Sequence, residues 1–192
     1  HVGGFTRRED AGVAAARRGT YLGLIEKLPY LKELGITAVE LLPVFCFDPA
    51  DAPPGRDNVW GYSPLSWFTP HHGYCSSSDP LQARHEVRQL VAACHDAGIE
   101  VLLDLVYNHT TEGNRHGPTL SWRGCADNVY YHQNEDGDYQ DVSGCGNSIA
   151  ANAPISTQLI LESMRCWALE LGVDGFRFDL GIALSRGDQL KP

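Results

Sequence analysis

The sequence predicts an α/β protein of parallel βαβ units. It reads as the first half (strands 1–4) of a (β/α)8 TIM barrel, with a long inserted loop region after strand 3. Three observations carry this. Strand-like and helix-like segments alternate along all 192 residues. The apolar runs at 37–44 and 99–106 are nearly continuous, as parallel strands covered on both faces require. Long polar segments follow them, as in a barrel whose loops at one face build the site. An open doubly wound sheet fits the same element order. No G-x-G-x-x-G or phosphate-loop pattern follows a strand, so nucleotide binding has no support. Four strands do not close a barrel of eight, hence a half.

The elements follow in order. Residues 1–5 (HVGGF) open the chain without Met, as if cut inside a strand. In 20–34, Leu24, Leu28, Leu31 and Leu34 recur at helical spacing, with Pro29 kinking or splitting the helix and Gly35 ending it. Residues 45–78 form a long segment rich in Pro, Gly, Ser and Asp, the kind of loop that is usually functional. A helix opens at Asp79 or Pro80 and runs to Ala97, with Leu81, Val87, Leu90, Val91 and Cys94 on its apolar side, and Gly98 stops it. The irregular stretch 110–154 holds a strand-like piece at 128–132 and a turn signal at Asp136 and Gly137. A helix over 155–171 leads to the last strand, 173–180. The expected divisions are 1–109 (barrel strands 1–3 with helices), 110–154 (a small loop-rich insertion) and 155–192 (helix 3, strand 4 and the start of the next loop).

Net charge is −9, which argues against nucleic acid or an anionic membrane surface as the main partner. No apolar run approaches the length of a bilayer span, and no signal-peptide pattern opens the chain. Six cysteines are scattered without a C-x-x-C pair or zinc-ligand spacing, and read mostly as reduced thiols; Cys125 and Cys145 form the closest candidate pair.

Residues 175–180 (GFRFDL) carry the sharpest chemical signal. Alternation on a strand sets Arg177 and Asp179 on one face, with Phe176, Phe178 and Leu180 on the other. Such a charged pair among aromatics lines a site, or else is a structural ion pair. Residues 100–106 run straight into Tyr107, Asn108 and His109, so a buried strand ends in ligand-capable groups. His71 and His72 lack a third ligand at suitable spacing and read as loop packing. Trp60, Trp67 and Trp122 are either sugar platforms or loop anchors.

The chain resembles the first half of the catalytic barrel of the α-amylase superfamily of glycoside hydrolases, in its isoamylase and glycogen-debranching branch. The carriers are 104–109 (DLVYNH) and 175–179 (GFRFD), with 113–120 (GNRHGPTL) and 143–147 (SGCGN) between them and 19–23 (GTYLG), 39–43 (VELLP) and 60–62 (WGY) upstream. The resemblance implies a retaining hydrolase of α-1,6 branch linkages in glycogen- or starch-like glucans. It assigns Asp179 as nucleophile, Arg177 as its electrostatic support, and Asp104, His109, Tyr62, Trp60 and Asn108 to the sugar. Asn108 stands where many α-amylases coordinate calcium, but debranching relatives often lack the ion, so no metal and no cofactor is expected. The acid/base Glu of the family comes after strand 4, beyond Pro192, so the chain is expected to be a fragment inactive alone; Glu162 and Glu170 read as surface carboxylates. The alanine-rich 148–153 departs from the polar run of the family.

The implied partner is an α-glucan (glycogen, amylopectin or limit dextrin), with no nucleic acid and no membrane, and with the missing C-terminal half or a second copy as a protein partner. Cytoplasm or plastid stroma is the expected compartment. The alternative is a non-catalytic glucan-binding or regulatory subunit of isoamylase type. Two open strand edges are expected to make an isolated 1–192 chain prone to aggregate.

Overall fold

The chain begins as a helix. In this computed structural model, which describes residues 1–185, α1 is Val2–Thr6, where the sequence suggested a strand. The cause is local: the His1 ring Nδ1 accepts the Gly4 N–H at 2.6 Å, and the Phe5 N–H closes on the His1 carbonyl, capping a first turn.

The remaining elements are α2 (Tyr21–Glu26), α3 (Leu28–Glu33), β1 (Ala38–Leu41), β2 (Phe45–Phe47), β3 (Pro64–Pro70), α4 (Gln82–Asp96), β4 (Glu100–Leu105), α5 (Arg123–Tyr130), α6 (Pro154–Arg165), β5 (Gly175–Phe178) and α7 (Gly181–Leu184). A π-helical turn, Cys166–Glu170, continues α6. The start of the loop expected up to 192 lies, from 186 on, outside the described residues.

The chain divides into two compact units. The first comprises 1–44, 68–104 and 165–177; the second comprises 45–67, 105–164 and 178–185 of the described residues.

In the first unit, Pro29 at the start of α3 separates it from α2, the split the sequence suggested. Thr20 caps α2 by accepting the Gly23 N–H at 3.1 Å. Leu24, Leu28 and Leu31 are buried, but Leu34 is exposed because α3 ends at Glu33 and the face stops with it. Helix α4 buries Val87, Leu90, Val91 and Cys94 as its spacing requires. Leu81 precedes the first helical residue and is exposed, so it is not part of that face. Gly98 follows α4 at φ +75°, a left-handed turn that returns the chain into β4. Strands β1 and β4 pair in parallel, with Val39 opposite Val101 and Leu41 opposite Leu103, so α4 lies in a parallel crossover.

Sheet order is β1-β4-β5. Only β4 is central, and it is the buried strand: Val101, Leu103 and Leu105 are all within 1% of full burial. Among the described residues β5 pairs with β4 alone, with Phe178 exposed and Phe176 half-buried. Glycine at 175 leaves room for the neighbouring strand: a Cβ there would sit 2.6 Å from Leu102 Cδ2 and displace that side chain.

The second unit contains the long polar stretches. Residues 45–47 and 64–70 form a two-stranded sheet inside what read as loop. Residues 123–130 are helical turns broken at Ala126 (φ −164°, ψ 84°), where a strand-like piece was expected at 128–132; Tyr131, bridged to Ile149, and Gln133, bridged to Tyr139, make the strand contacts there. The expected turn is present, Gly137 donating to the Asn134 carbonyl at φ +79°. An aromatic cluster fills the interior: Trp67 meets Tyr107 edge-on at 5.2 Å and tilts against Trp122 at 5.2 Å. Trp67 is therefore a core anchor rather than a platform. All six cysteines are free thiols, Cys125 and Cys145 included.

Candidate active site

Within the first unit, the neighbouring strands β4 and β5 bring Asp104 and Arg177 together. Arg177 Nη1 donates to Asp104 Oδ1 at 2.6 Å. The carboxylate is 4% exposed and the guanidinium side chain 46%, so a nearly dry anion is held by a cation that still reaches water.

Within the second unit, the chain leaving β4 supplies Asn108 and His109. Asn108 is buried, and its Nδ2 donates to the Asp179 backbone carbonyl at 3.0 Å and to Asp179 Oδ2 at 3.1 Å. Its Oδ1 lies 2.5 Å from His109 Nδ1, while His109 Nε2 lies 2.8 Å from the Tyr62 carbonyl. Both ring nitrogens therefore face oxygen acceptors. Burial pushes the His109 pKa below its ordinary 6.5; the Tyr62 hydrogen bond and the Asp179 charge pull the other way without reversing it. Asp179 is further fixed by its own N–H, which donates to the Leu105 carbonyl at 2.9 Å. The next residue, Leu180, sits in the left-handed region at φ 43°, ψ 45°, and turns the chain sharply into α7.

Tyr62 and His109 line a cavity of about 310 Å³ together with Asp51, Asn58, Thr110 and Cys145. Asn58 Oδ1 accepts the Gly61 N–H at 3.1 Å and so shapes the segment carrying Trp60 and Tyr62. The Trp60 ring, 66% exposed, is tilted 48° to Tyr62 at 6.4 Å between centroids.

Behind the cavity lies a polar hub that leaves no mark on the sequence. Glu112 is fully buried and accepts the N–H groups of Leu120, Ser121 and Arg123, together with the Tyr131 hydroxyl. Burial alone raises its pKa, but these donors outweigh it and hold the carboxyl below its ordinary 4.5. Tyr131 is also hydrogen-bonded to Thr110, and Thr110 N–H donates to Asn147 Oδ1, so the hub reaches the residue next to His109. Arg123 spreads its guanidinium over the carbonyls of Glu112, Gly117 and Asn114 and the Tyr139 hydroxyl. A lone Glu after His-Thr-Thr, followed by polar loop, carries no periodicity from which this role could be read.

Other marked residues do not line this pocket. His71 is buried, meets Tyr74 edge-on at 4.8 Å, and has its pKa pushed down to about 4, first by burial and then by His72. Trp122 is half-buried between Trp67 and Tyr130. Glu162 and Glu170 are exposed, as expected, and Glu170 is paired with Arg84.

Comparison with known proteins gives concordant matches. Residues 4–141 match the family described as alpha amylase, catalytic domain. The chain is 46% identical over 197 residues to "Isoamylase 3, chloroplastic" of Oryza sativa subsp. japonica, a match covering 97% of this chain and 25% of that protein. It is 45% identical to the "Glycogen operon protein GlgX homolog" of Mycobacterium tuberculosis, covering 97% and 26%. Among solved structures, the pullulanase of Anoxybacillus sp. LM18-11 complexed with maltotetraose superposes with a TM-score of 0.84 at 31% identity, over 96% of this chain and 28% of that one. The chain spans about a quarter of the length of the curated relatives it matches.

Proposed function

Because the chain belongs to the α-amylase catalytic-domain family and has its amylase-type fold, we propose that it is part of a debranching glycosidase. The enzyme would cleave α-1,6 branch linkages of glycogen- or starch-like glucans by retaining double displacement. The observation that carries the proposal is the double hydrogen bond from Asn108 to Asp179, beside a His109 ring braced on the Tyr62 carbonyl.

In this reading Asp179 is the nucleophile. Its carboxylate forms a bond to the anomeric carbon as the bond to the leaving glycosidic oxygen breaks, and water later releases the sugar. Asn108 and the Leu105 carbonyl hold it in position before the sugar arrives, so its orientation costs little at the moment of reaction. His109 and Tyr62 bind the reacting glucosyl residue, Tyr62 by its ring face, and Trp60 extends that aromatic surface. Asp104 and Arg177 form a charged pair within the first unit. Asn108 is given to positioning rather than to calcium, because both its amide atoms are already engaged within the second unit. The acid/base carboxyl, about 5 Å from a retaining nucleophile, belongs to the remainder of the protein.

The sheet β1-β4-β5 is accordingly read as part of the first half of a barrel, with 110–154 as its insertion and 155–185 carrying the last described helix and strand. Plastid stroma beside cytoplasm is the compartment of this reading, and a relative named chloroplastic supports the former. No helix among the described residues is long and apolar enough to cross a membrane.

The test is release of new reducing ends from amylopectin by the whole protein and by its Asp179→Asn variant. Asp179→Asn should lower turnover at least about 10³-fold while leaving the thermal transition within a few degrees. Retained turnover in that variant would remove Asp179 from the chemistry.

A further inference from the structure

Past the end of β4 the chain carries Asn108 and His109 and then lines the pocket with Thr110 and Gly113. The backbone of Thr110 is held there by a side chain. Asn147, fully buried in the same unit, accepts the Thr110 N–H on Oδ1 at 3.0 Å. Its Nδ2 donates to the Thr110 carbonyl at 3.0 Å and to the Gly113 carbonyl at 2.9 Å. One amide thus engages both backbone groups of Thr110, as a neighbouring strand would, and uses both its donors to do so. Two residues on, the Ile149 N–H donates to the Asn108 carbonyl at 2.9 Å. Asn108 and His109 are therefore bracketed, the first by Ile149 and the residue after the second by Asn147.

The bracket is itself tied down. Asp141 accepts the N–H groups of Ser143, Gly144 and Gly146 at 3.0, 2.8 and 2.7 Å. Ser143 Oγ donates to the Asn147 carbonyl at 2.7 Å and accepts the Cys145 N–H at 3.1 Å. Gly146 stands at φ +95°, and a Cβ there would lie 2.7 Å from the Asn114 nitrogen, so the loop packs backbone to backbone on the chain it holds.

We infer that Asn147 is a positioning residue for the reaction: through the backbone of Thr110 it fixes His109 in the pocket, and with it the Asn108 amide that holds Asp179. The inference rests on the reading of the Tyr62–His109 pocket as the seat of the reacting sugar and of Asp179 as the nucleophile. Asn147 does not line the pocket, so its loss falls on turnover rather than on binding. Aspartate has the same shape but no proton for either carbonyl, which makes it the discriminating replacement.

Reducing-end release from amylopectin by the whole protein, measured well below the melting transition, tests this. Asn147→Asp should lower kcat about 100-fold while KM stays within about threefold. Ser143→Ala brings no charge and leaves the amide in place; it should lower kcat about fivefold in the same pattern, and it decides the matter where Asn147→Asp does not fold. Thr157→Ala, which frees the Ala151 carbonyl beside α6 in the same unit, is the stability control and should keep kcat within about twofold. If the folded Asn147 and Ser143 variants keep the kcat of the parent while Asp179→Asn is inactive, the chemistry stands and the positioning role is overturned. If KM rises as much as kcat falls, Asn147 acts on binding and the role is again overturned. If Thr157→Ala, at an equal drop in melting temperature, loses as much kcat as Ser143→Ala, the effect is one of stability and the role is overturned too. If Asp179→Asn keeps full turnover, the reading of the site fails and takes the positioning role with it.

Discussion

A single amide, that of Asn108, holds Asp179 at two points, its backbone carbonyl and its carboxylate. The amide fixes both where the chain turns and where the acid points, and no other residue type of that size donates two protons from one atom. Asn108→Asp would set a second carboxylate against the first. The expected result is a loss of about 1–3 kcal/mol of stability, from a buried donor lost, with turnover reduced at least about 100-fold. Chemical denaturation and reducing-end release measure the two separately.

The buried Glu112 makes stability depend on acid. Its folded pKa lies below the ordinary 4.5, so the unfolded chain binds the proton more tightly. The stabilisation is present in full above that ordinary value and is lost as pH falls through the folded one. Melting temperature should drop below about pH 4.5, and Glu112→Gln should flatten that limb while costing about 1–3 kcal/mol at pH 7. Melting curves across pH 3–7 check both, and an unchanged acid limb in the variant would exclude Glu112 as its source.

For His109 the sign is the same with a different window. Burial holds its folded pKa below 6.5, so between that value and 6.5 the unfolded state carries the extra proton. Stability should rise with pH through this window and be lost as pH falls below it. His109→Gln should remove that step. A histidine titration followed by NMR, with an apparent pKa under 6.5 that disappears in the variant, is the expected result.

Leu180 pays for the turn after Asp179. A β-branched side chain tolerates φ 43° worse than leucine does. Leu180→Val should cost about 1 kcal/mol, whereas Leu180→Gly should fold as well as the parent. Equal destabilisation by both would show that side-chain packing, not backbone conformation, governs the position.

Legibility of the sequence followed the number of physical constraints on each residue. Strand β4 and helix α4 were readable because burial on one or both faces writes a periodic signal into Val101, Leu103, Val87 and Leu90. Asn108 and His109 were readable as polar groups ending such a run. The opening helix was not, because five residues with two glycines have no period and the His1 ring decides the outcome. The exposure of Phe178 was hidden as well: Phe176 and Phe178 look like core in one dimension, and only strand order shows what lies beside them among the described residues. Glu112 and Arg123 act through loop carbonyls, N–H groups and hydroxyls distant in sequence, a kind of bonding that leaves no pattern along the chain.

The four indoles are in three kinds of surroundings: Trp67 and Trp167 are shut away from water, Trp122 is half-covered, and Trp60 stands open. Among these four, Trp60 should supply the red edge of the intrinsic fluorescence, and iodide, which does not enter the interior, should quench that edge first. An unlabelled protein thus carries its own optical reporter of what covers the surface beside Tyr62, readable as a blue shift and as protection from quencher.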